Sequence, residues 1–471
     1  MAAREMGRRL FGRLTRPLRE AVTPPPTAPP PEDDSTDEET REALKILGVA
    51  MEVAELLLSS GASANDVTST ALRIARAYGL RGVHADVTYT SIHLSWQRRD
   101  REPVSTLRVV RSRTTDFTLL QRVYQLTEQI ESGELTVLEA RGRFRRLSYA
   151  APPYRRWVIV VANGGVAIGL GLLWQATPIV FAVTFLATCL IDIALRFLAR
   201  RGVPTFFQQA VGAAIPTSAT LAMQWAQSKD IRLFDEIQPT LTVSAGIVLL
   251  LAGMSVVGAA QDSIDGFYVT ASARAFEVVV LTLGIVTGIL VVLRVGTWLG
   301  VSVLLVPATP ILGPPAVQLL GALVIAGSFA VACHAAPRTV ILAALMGLFG
   351  WVVQLFAARF GFGVIGASAL GATVSAMLAC VLGPRLKVPV LALITSAIVP
   401  LMPGGMVFRG VLLMAGTSGG TPAAVDVVAG MVTLMTAAGV GMALAAGSSL
   451  GTYVTRPITR TRWRQGRRTR R

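Results

Sequence analysis

Beyond residue 156 the chain is a succession of apolar runs of roughly 20 residues, the length that crosses a bilayer as a helix, separated by short polar breaks. They predict spans at Trp157–Gln175, Ile179–Leu198, Pro204–Trp225, Leu241–Ala260 and Ala275–Leu293, then at Ala316–Cys333, Val340–Ala358, Val364–Leu382, Val388–Met402 and Val425–Ala446. Trp298–Val306 is too short to cross and is expected in the interface. Before residue 150 the pattern differs. Arg41–Ser59 places Leu44, Leu47, Met51, Ala54 and Leu58 at helical spacing and stops at Gly61. Ser63 or Asn65 can cap a second helix running to Tyr78, which Gly79 ends. Val83–Trp96 and Val104–Val110 are β-rich runs that suit a hairpin around the polar turn Arg98–Glu102. Phe117–Ile130 and Val137–Leu147 return to helical periodicity.

The expected fold is an α-helical polytopic membrane protein, with about ten transmembrane helices preceded by a small cytoplasmic α/β domain. The expected divisions are a disordered tail at 1–40, the α/β domain at 41–150, membrane segments at 151–296 and 297–450, and a basic cytoplasmic tail at 451–471. The tail begins with arginines among Leu and Phe, lacking the apolar core of a secretory signal, and continues as the linker-like TPPPTAPPPEDDSTDEET.

The membrane block repeats itself. A shift of 159 residues sets FLARRG (Phe197–Gly202) on FAARFG (Phe356–Gly361), AVGA (Ala210–Ala213) on ALGA (Ala369–Ala372), and ATP (Ala176–Pro178) on AAP (Ala335–Pro337). A similar shift sets LLLAGM (Leu249–Met254) near PLMPGGM (Pro400–Met406). Each copy then holds five spans, and an odd number inverts the second copy in the membrane. Two five-helix inverted repeats are an architecture of secondary transporters, with substrate bound where the halves meet.

Composition supports the membrane assignment. Apolar residues make up 52% of the 471 and charged residues 15%, against about a quarter charged in soluble domains; the mean hydropathy is +0.56. The net charge of +16 comes almost wholly from arginine, Lys45, Lys229 and Lys387 being the lysines. That usage suggests a GC-rich bacterial genome. The arginines flank spans, so the positive-inside rule explains them without nucleic acid. Threading ten spans puts Arg143–Arg156, Arg200–Arg201, Arg274, Arg338, Arg385–Lys387 and Arg456–Arg471 on one side. The thinner set Lys229, Arg232, Arg294, Arg359 and Arg409 falls on the other. Both termini are therefore expected in the cytoplasm of a bacterial plasma membrane.

Several chemistries are not indicated. Cys189, Cys333 and Cys380 sit in apolar runs without CxxC spacing, His84, His93 and His334 are scattered, and no P-loop, HExxH or GxSxG occurs. No metal, cofactor or enzymatic centre is expected. The candidate chemistry lies elsewhere. QDSIDGFYVTASAR (Gln261–Arg274), expected as a turn-like segment, crowds two acids, a glycine, hydroxyls and an arginine between two apolar runs. Ionisable groups so near hydrocarbon mark a functional site, although a polar interfacial loop would read the same way. Asp262, Asp265, Gly266, Thr270 and Arg274 are its candidate substrate-binding residues. Pro403-Gly404-Gly405 should break the ninth span and free backbone groups for a zwitterion. Pro403, Gly404, Gly405 and nearby Arg409 complete the binding set; Pro216 and Gly253 are weaker breaks of the same kind. Asp192 and Arg196, one turn apart, fit a structural ion pair. Asp262 and Glu277, with Arg274 between them and able to switch partners, are the candidate proton-coupling carboxyls.

Three stretches together resemble the bacterial threonine/serine exporter family: LLLSSGASANDVTSTALRIARAYG (Leu56–Gly79), QDSIDGFYVTASAR and VPLMPGGMVFRG (Val399–Gly410). The resemblance covers roughly residues 41–450. It implies a cytoplasmic domain before ten spans and export of small hydroxy-amino acids at the expense of the proton gradient, with the lipid bilayer, the amino acid and protons as partners. Other readings are a dicarboxylate exporter, a membrane-anchored enzyme and a membrane sensor. The sequence neither fixes nor forbids a homo-oligomer.

Overall fold

Apolar surface is buried here in two ways, as a mixed core at the N-terminal end and as packed helices beyond it. The structure is a computed structural model that describes residues 38–97, 102–110, 115–148, 153–227, 229, 239–247, 250, 253–301, 312–415 and 424–468. The expected N-terminal tail and linker, the interfacial segment after Val301 and the last three residues lie outside that set.

The N-terminal unit begins with α1 (Glu38–Ser59), whose buried stripe runs through Ala43, Leu47, Ala50, Ala54, Leu57 and Leu58. Gly61, at φ +89°, turns the chain out of it. Ser63 then caps α2 (Ala64–Ala77), its side chain accepting from the Asp66 N–H. Strands β1 (Val83–Thr88), β2 (Ser91–Trp96) and β3 (Val104–Val109) form an antiparallel meander in that order. The run Val83–Trp96, expected as one strand of a hairpin, therefore folds as two. The turn at Tyr89–Thr90 carries no glycine or proline to betray it. Helices α3 (Phe117–Glu131), capped by Asp116, and α4 (Val137–Ser148) close the unit. Its core is continuous with Ala330, Cys333, Ala335, Ala343 and Ala392 of the helices that follow.

Those helices are α5 (Arg156–Leu173), α6 (Pro178–Arg200), α7 (Thr205–Gln227), α8 (Pro239–Ile247), α9 (Gly253–Ile264) and α10 (Tyr268–Trp298). Then come α11 (Pro315–Ala332), α12 (Pro337–Arg359), α13 (Val364–Leu386), α14 (Val390–Ile398), α15 (Gly404–Ala415) and α16 (Ala424–Arg468). Among the described residues seven are long and apolar enough to cross a membrane: α5, α6, α10, α11, α12, α13 and α16. The bent pair α14–α15 raises the number to eight when taken as one span. The protein is thus a mostly helical, multi-pass membrane protein. Within the fourth expected span the described helices α8 and α9 are separate, although its sequence offers little to break a helix beyond Gly246 and Gly253. The expected basic tail from residue 451 continues the helix α16 to Arg468.

The sequence repeat has a conformational counterpart. Helices α5, α6 and α7 match α11, α12 and α13 in length and lie 159 residues before them; α8 and α9 match α14 and α15 at a shift of 151. Gln175 and His334, 159 apart, are both left-handed non-glycine residues (φ 51° and 56°) just past the ends of α5 and α11. FLARRG and FAARFG both end in a left-handed glycine, Gly202 and Gly361, that closes the preceding helix. Packing repeats too. Helix α7 packs on α10 as α13 packs on α16, and α6 touches α7 and α8 as α12 touches α13 and α14. At the first of these contacts a Cβ on Gly288 would lie 2.0 Å from the Ala210 carbonyl oxygen, and one on Gly447 would lie 2.4 Å from that of Ala369. Both pairs are 159 apart. Close backbone approach through small residues is how helices associate where no hydrophobic effect separates helix from lipid.

Candidate functional site

The stretch Gln261–Arg274 is not a long turn. Gln261–Ile264 completes α9 and Tyr268–Arg274 opens α10, leaving a short turn at Asp265–Phe267. Gly266 (φ +90°) supplies the left-handed residue, and the Phe267 N–H donates back to the Asp262 carbonyl. This tight reversal lays the two helices side by side and brings Asp262 against Arg274, Nη1 to Oδ2 at 3.0 Å. Asp262 is wholly buried and the Arg274 side chain is 10% exposed. The guanidinium fits because residue 258 is glycine; a Cβ there would lie 2.6 Å from Nη1.

The other Asp262 oxygen accepts from the backbone N–H of Ala64 at 3.3 Å. Ala64 is the first residue of α2, so the carboxylate sits at the positive end of a helix of the N-terminal unit. Beside it, Asn65 Nδ2 donates to Asp265 Oδ2 at 3.4 Å, and the Thr270 hydroxyl donates to the Val87 carbonyl at 3.2 Å. Asp262, Asp265 and Thr270, expected to bind substrate, are thus engaged with the N-terminal unit. That unit also reaches the second half of the bundle. The Phe117 N–H donates to the Cys333 carbonyl at 2.9 Å, the Thr118 hydroxyl to that of His334, and Gln121 Nε2 to that of Lys387 at 2.8 Å.

Between the unit and the bundle lies a cavity of about 1810 Å³. One wall is α2 and α3, with Asp66, Arg73, Gln121, Tyr124 and Glu128. Burial pushes the Tyr124 phenol above its ordinary value, with Asp66 adding to the shift, so this wall presents a neutral hydroxyl. The opposite wall is Ser255, Gly258, Gln261, Asp265 and Arg274 from α9 and α10, the end of α13 and residues 446–455 of α16. The floor follows α14 as far as Thr395 and Ile398.

Ile398 stands at the break. After it come one turn of 3-10 helix (Val399–Leu401), Met402 and Pro403, and then α15, bent by 43° from the preceding segment. A Cβ on Gly405 would lie 3.0 Å from the Trp174 indole, so the indole lies directly against the backbone here. Among the described residues Arg409, about two turns beyond Pro403, has a buried Nε without a hydrogen-bond partner. The structure therefore separates the candidates into a cluster around the α9–α10 reversal (Asp262, Asp265, Gly266, Thr270, Arg274), of which Asp265 and Arg274 line the cavity, and a second at the break (Pro403, Gly404, Gly405, Arg409).

Glu277 is half-buried on α10, and among the described residues no ion pair joins it to Arg274. The expected arginine between two acids is here an arginine on one. Asp192 and Arg196 do pair, at 2.8 Å, and Asn163 Nδ2 adds a hydrogen bond to Asp192 at 3.1 Å. No cluster of metal-ligating side chains occurs among the described residues. Sequence reasoning missed Trp174 and Ala64. An indole near a helix end carries no signal, and a backbone N–H carries none at all.

Comparison with known proteins gives two family models that follow one another along the chain. One, described as "Putative threonine/serine exporter", matches residues 48–296, and the other, "Threonine/Serine exporter", matches 318–454. A "Probable threonine/serine exporter" of Mycobacterium tuberculosis is 33% identical over 422 residues, which is 88% of this chain and 77% of that protein. The "Threonine/serine exporter" of Corynebacterium glutamicum is 31% identical over 430 residues, 88% of this chain and 83% of that one. The chain belongs to the threonine/serine exporter family. No solved structure matches it. In this family member the first matched region ends within α10 and the second begins within α11, so the division falls between the two similar sets of helices.

Proposed function

We propose that the protein exports threonine and serine across the bacterial plasma membrane in exchange for protons, with the N-terminal unit and both termini in the cytoplasm. The observation that carries the substrate is the pair of threonine/serine exporters similar to this chain over 88% of its length. The relatives lend nothing to a dicarboxylate exporter, an enzyme or a sensor. In this reading ten crossings form two inverted five-helix repeats, α8–α9 and α14–α15 each being one broken span. The matched lengths, the matched left-handed caps and the matched packing support it. So does the grouping of residues 262–270, 333–334 and 387 against one unit, since threading ten spans puts all three segments on one side.

The amino acid enters the cavity from the cytoplasm and passes to the break at Pro403–Gly405, where freed backbone groups receive it. Coupling runs through Asp262. Any event that draws Arg274 away leaves a buried carboxyl without its neutralising guanidinium, and a proton then becomes the cheaper counter-charge. Glu277 lies one turn further along α10 and is the second carboxyl in line. Asp192, held by Arg196 and Asn163, is structural.

The test is flux of labelled threonine in proteoliposomes under an imposed pH gradient. The reading expects threonine and serine to move against their gradient when protons flow the other way, and succinate to be ignored. Transport of succinate alone, or flux unaffected by the gradient, would overturn substrate or coupling respectively.

A further inference from the structure

Arg274 carries more hydrogen-bonding capacity than the bundle uses. A guanidinium offers five N–H donors in a fixed fork. Among the described residues Asp262 takes one nitrogen, Nη1, and Nε is buried with no hydrogen-bond partner although the residue lines the large cavity. A buried donor left without an acceptor is costly, and native proteins rarely keep one idle. The vacant Nε edge is the one that pairs bidentately with a carboxylate. It sits on rigid support: the Asp262 pair fixes one end of the fork, Gly258 gives it room, and the reversal at Gly266 sets α9 against α10. Asp66 and Glu128 on the facing wall supply negative charge across the same cavity.

We propose that Arg274 is the receptor for the substrate's α-carboxylate on the cytoplasmic side, at the mouth of the transport path. This deepens the export reading and rests on it. The site takes an amino acid through its carboxylate and leaves the side chain to be judged further in, at the break. It also gives the coupling step its trigger, because a second carboxylate on the guanidinium shares the charge that holds Asp262 ionised and so favours a proton there.

Binding of labelled L-threonine to the purified full-length protein, competed by L-threonine or L-threoninamide, tests the proposal together with transport in proteoliposomes. The amide keeps the amine and hydroxyl and lacks the anion. L-threonine should compete and L-threoninamide should fail to. Arg274→Lys should raise KM about tenfold or more, the loss of one charge-assisted bidentate contact, while the maximal rate falls much less. Gly258→Ala, which pushes on Nη1 without touching the charge, should shift KM in the same direction. If Arg274→Lys does not accumulate, the KM of Gly258→Ala decides. Equal competition by the amide, or an unchanged KM in an accumulating variant, overturns the proposal while leaving the export reading intact. Absence of any threonine transport by the unaltered protein overturns the export reading itself.

Discussion

Asp262→Asn keeps the shape of a side chain and removes its charge, leaving Arg274 buried without its ion pair. Breaking such a pair from one side costs about 3–5 kcal/mol when both partners are fully desolvated. The 10% exposure of Arg274 puts the expected loss below that range. The variant should therefore show a lower unfolding midpoint. More tellingly, it should lose pH-gradient-driven efflux while retaining exchange of labelled for unlabelled threonine, since exchange moves no net proton. If Asp262→Asn and Glu277→Gln both keep gradient-driven efflux and Asp192→Asn loses it, the coupling carboxyl is Asp192. At the other end of the path, Gly405→Leu drives branched carbon into the Trp174 ring, where even a Cβ would lie 3.0 Å away. Efflux should be abolished with membrane abundance retained; wild-type kinetics would reduce the break to a kink.

The helices of the bundle meet through glycine, and the spacing says which glycines matter. Gly288→Ala and Gly447→Ala each press a methyl against a carbonyl of the neighbouring helix, so the helices must part. Overpacking of this kind costs about 1–3 kcal/mol, read as a fall in unfolding temperature and in the amount of protein recovered. Gly48→Ala in α1 meets nothing within 4 Å and should stabilise by about 0.5–1 kcal/mol through helix propensity. Elements were legible in the sequence wherever one physical signal sufficed. Apolar runs marked α5, α6 and α11 to within a few residues, the Ser63–Asn65 stretch marked the start of α2, and the shared FxARxG marked a repeat whose two copies both end in a left-handed glycine. The split of the fourth span was not legible, because the glycines near the break, Gly246 and Gly253, are common in membrane helices and apolar residues lie on both sides of it. Asp262 and Arg274 stood out by charge in an apolar setting, yet the partner Ala64 lies 198 residues away and contributes only backbone. Asp262 could be singled out as a candidate from sequence; that it also fastens the N-terminal unit could not.

At the scale of the molecule the two-repeat arrangement makes a sharp demand on topology. Reporter fusions at Gly202, Ser263 and Gly383 should read cytoplasmic, and fusions at Ser228 and Ser418 should read external. A cytoplasmic Ser228 would end the inverted-repeat reading. Deleting residues 1–36 should leave efflux near normal, since a Pro-rich and acidic segment has too little apolar surface to form a core. The attachment of the N-terminal unit has a further consequence. Its hydrogen bonds fall on Asp262, Asp265 and Thr270 of the first half and on Cys333, His334 and Lys387 of the second. If the halves rock about the path, one set must let go. Each bond is worth about 0.5–1.5 kcal/mol net, so a set of three amounts to a few kcal/mol. That matches the gap separating two conformers of one protein, a few kcal/mol. In the proposed orientation the unit would act as a ballast: while it bridges both halves, the empty protein would rest open on the unit's own side, the side from which an exporter must load.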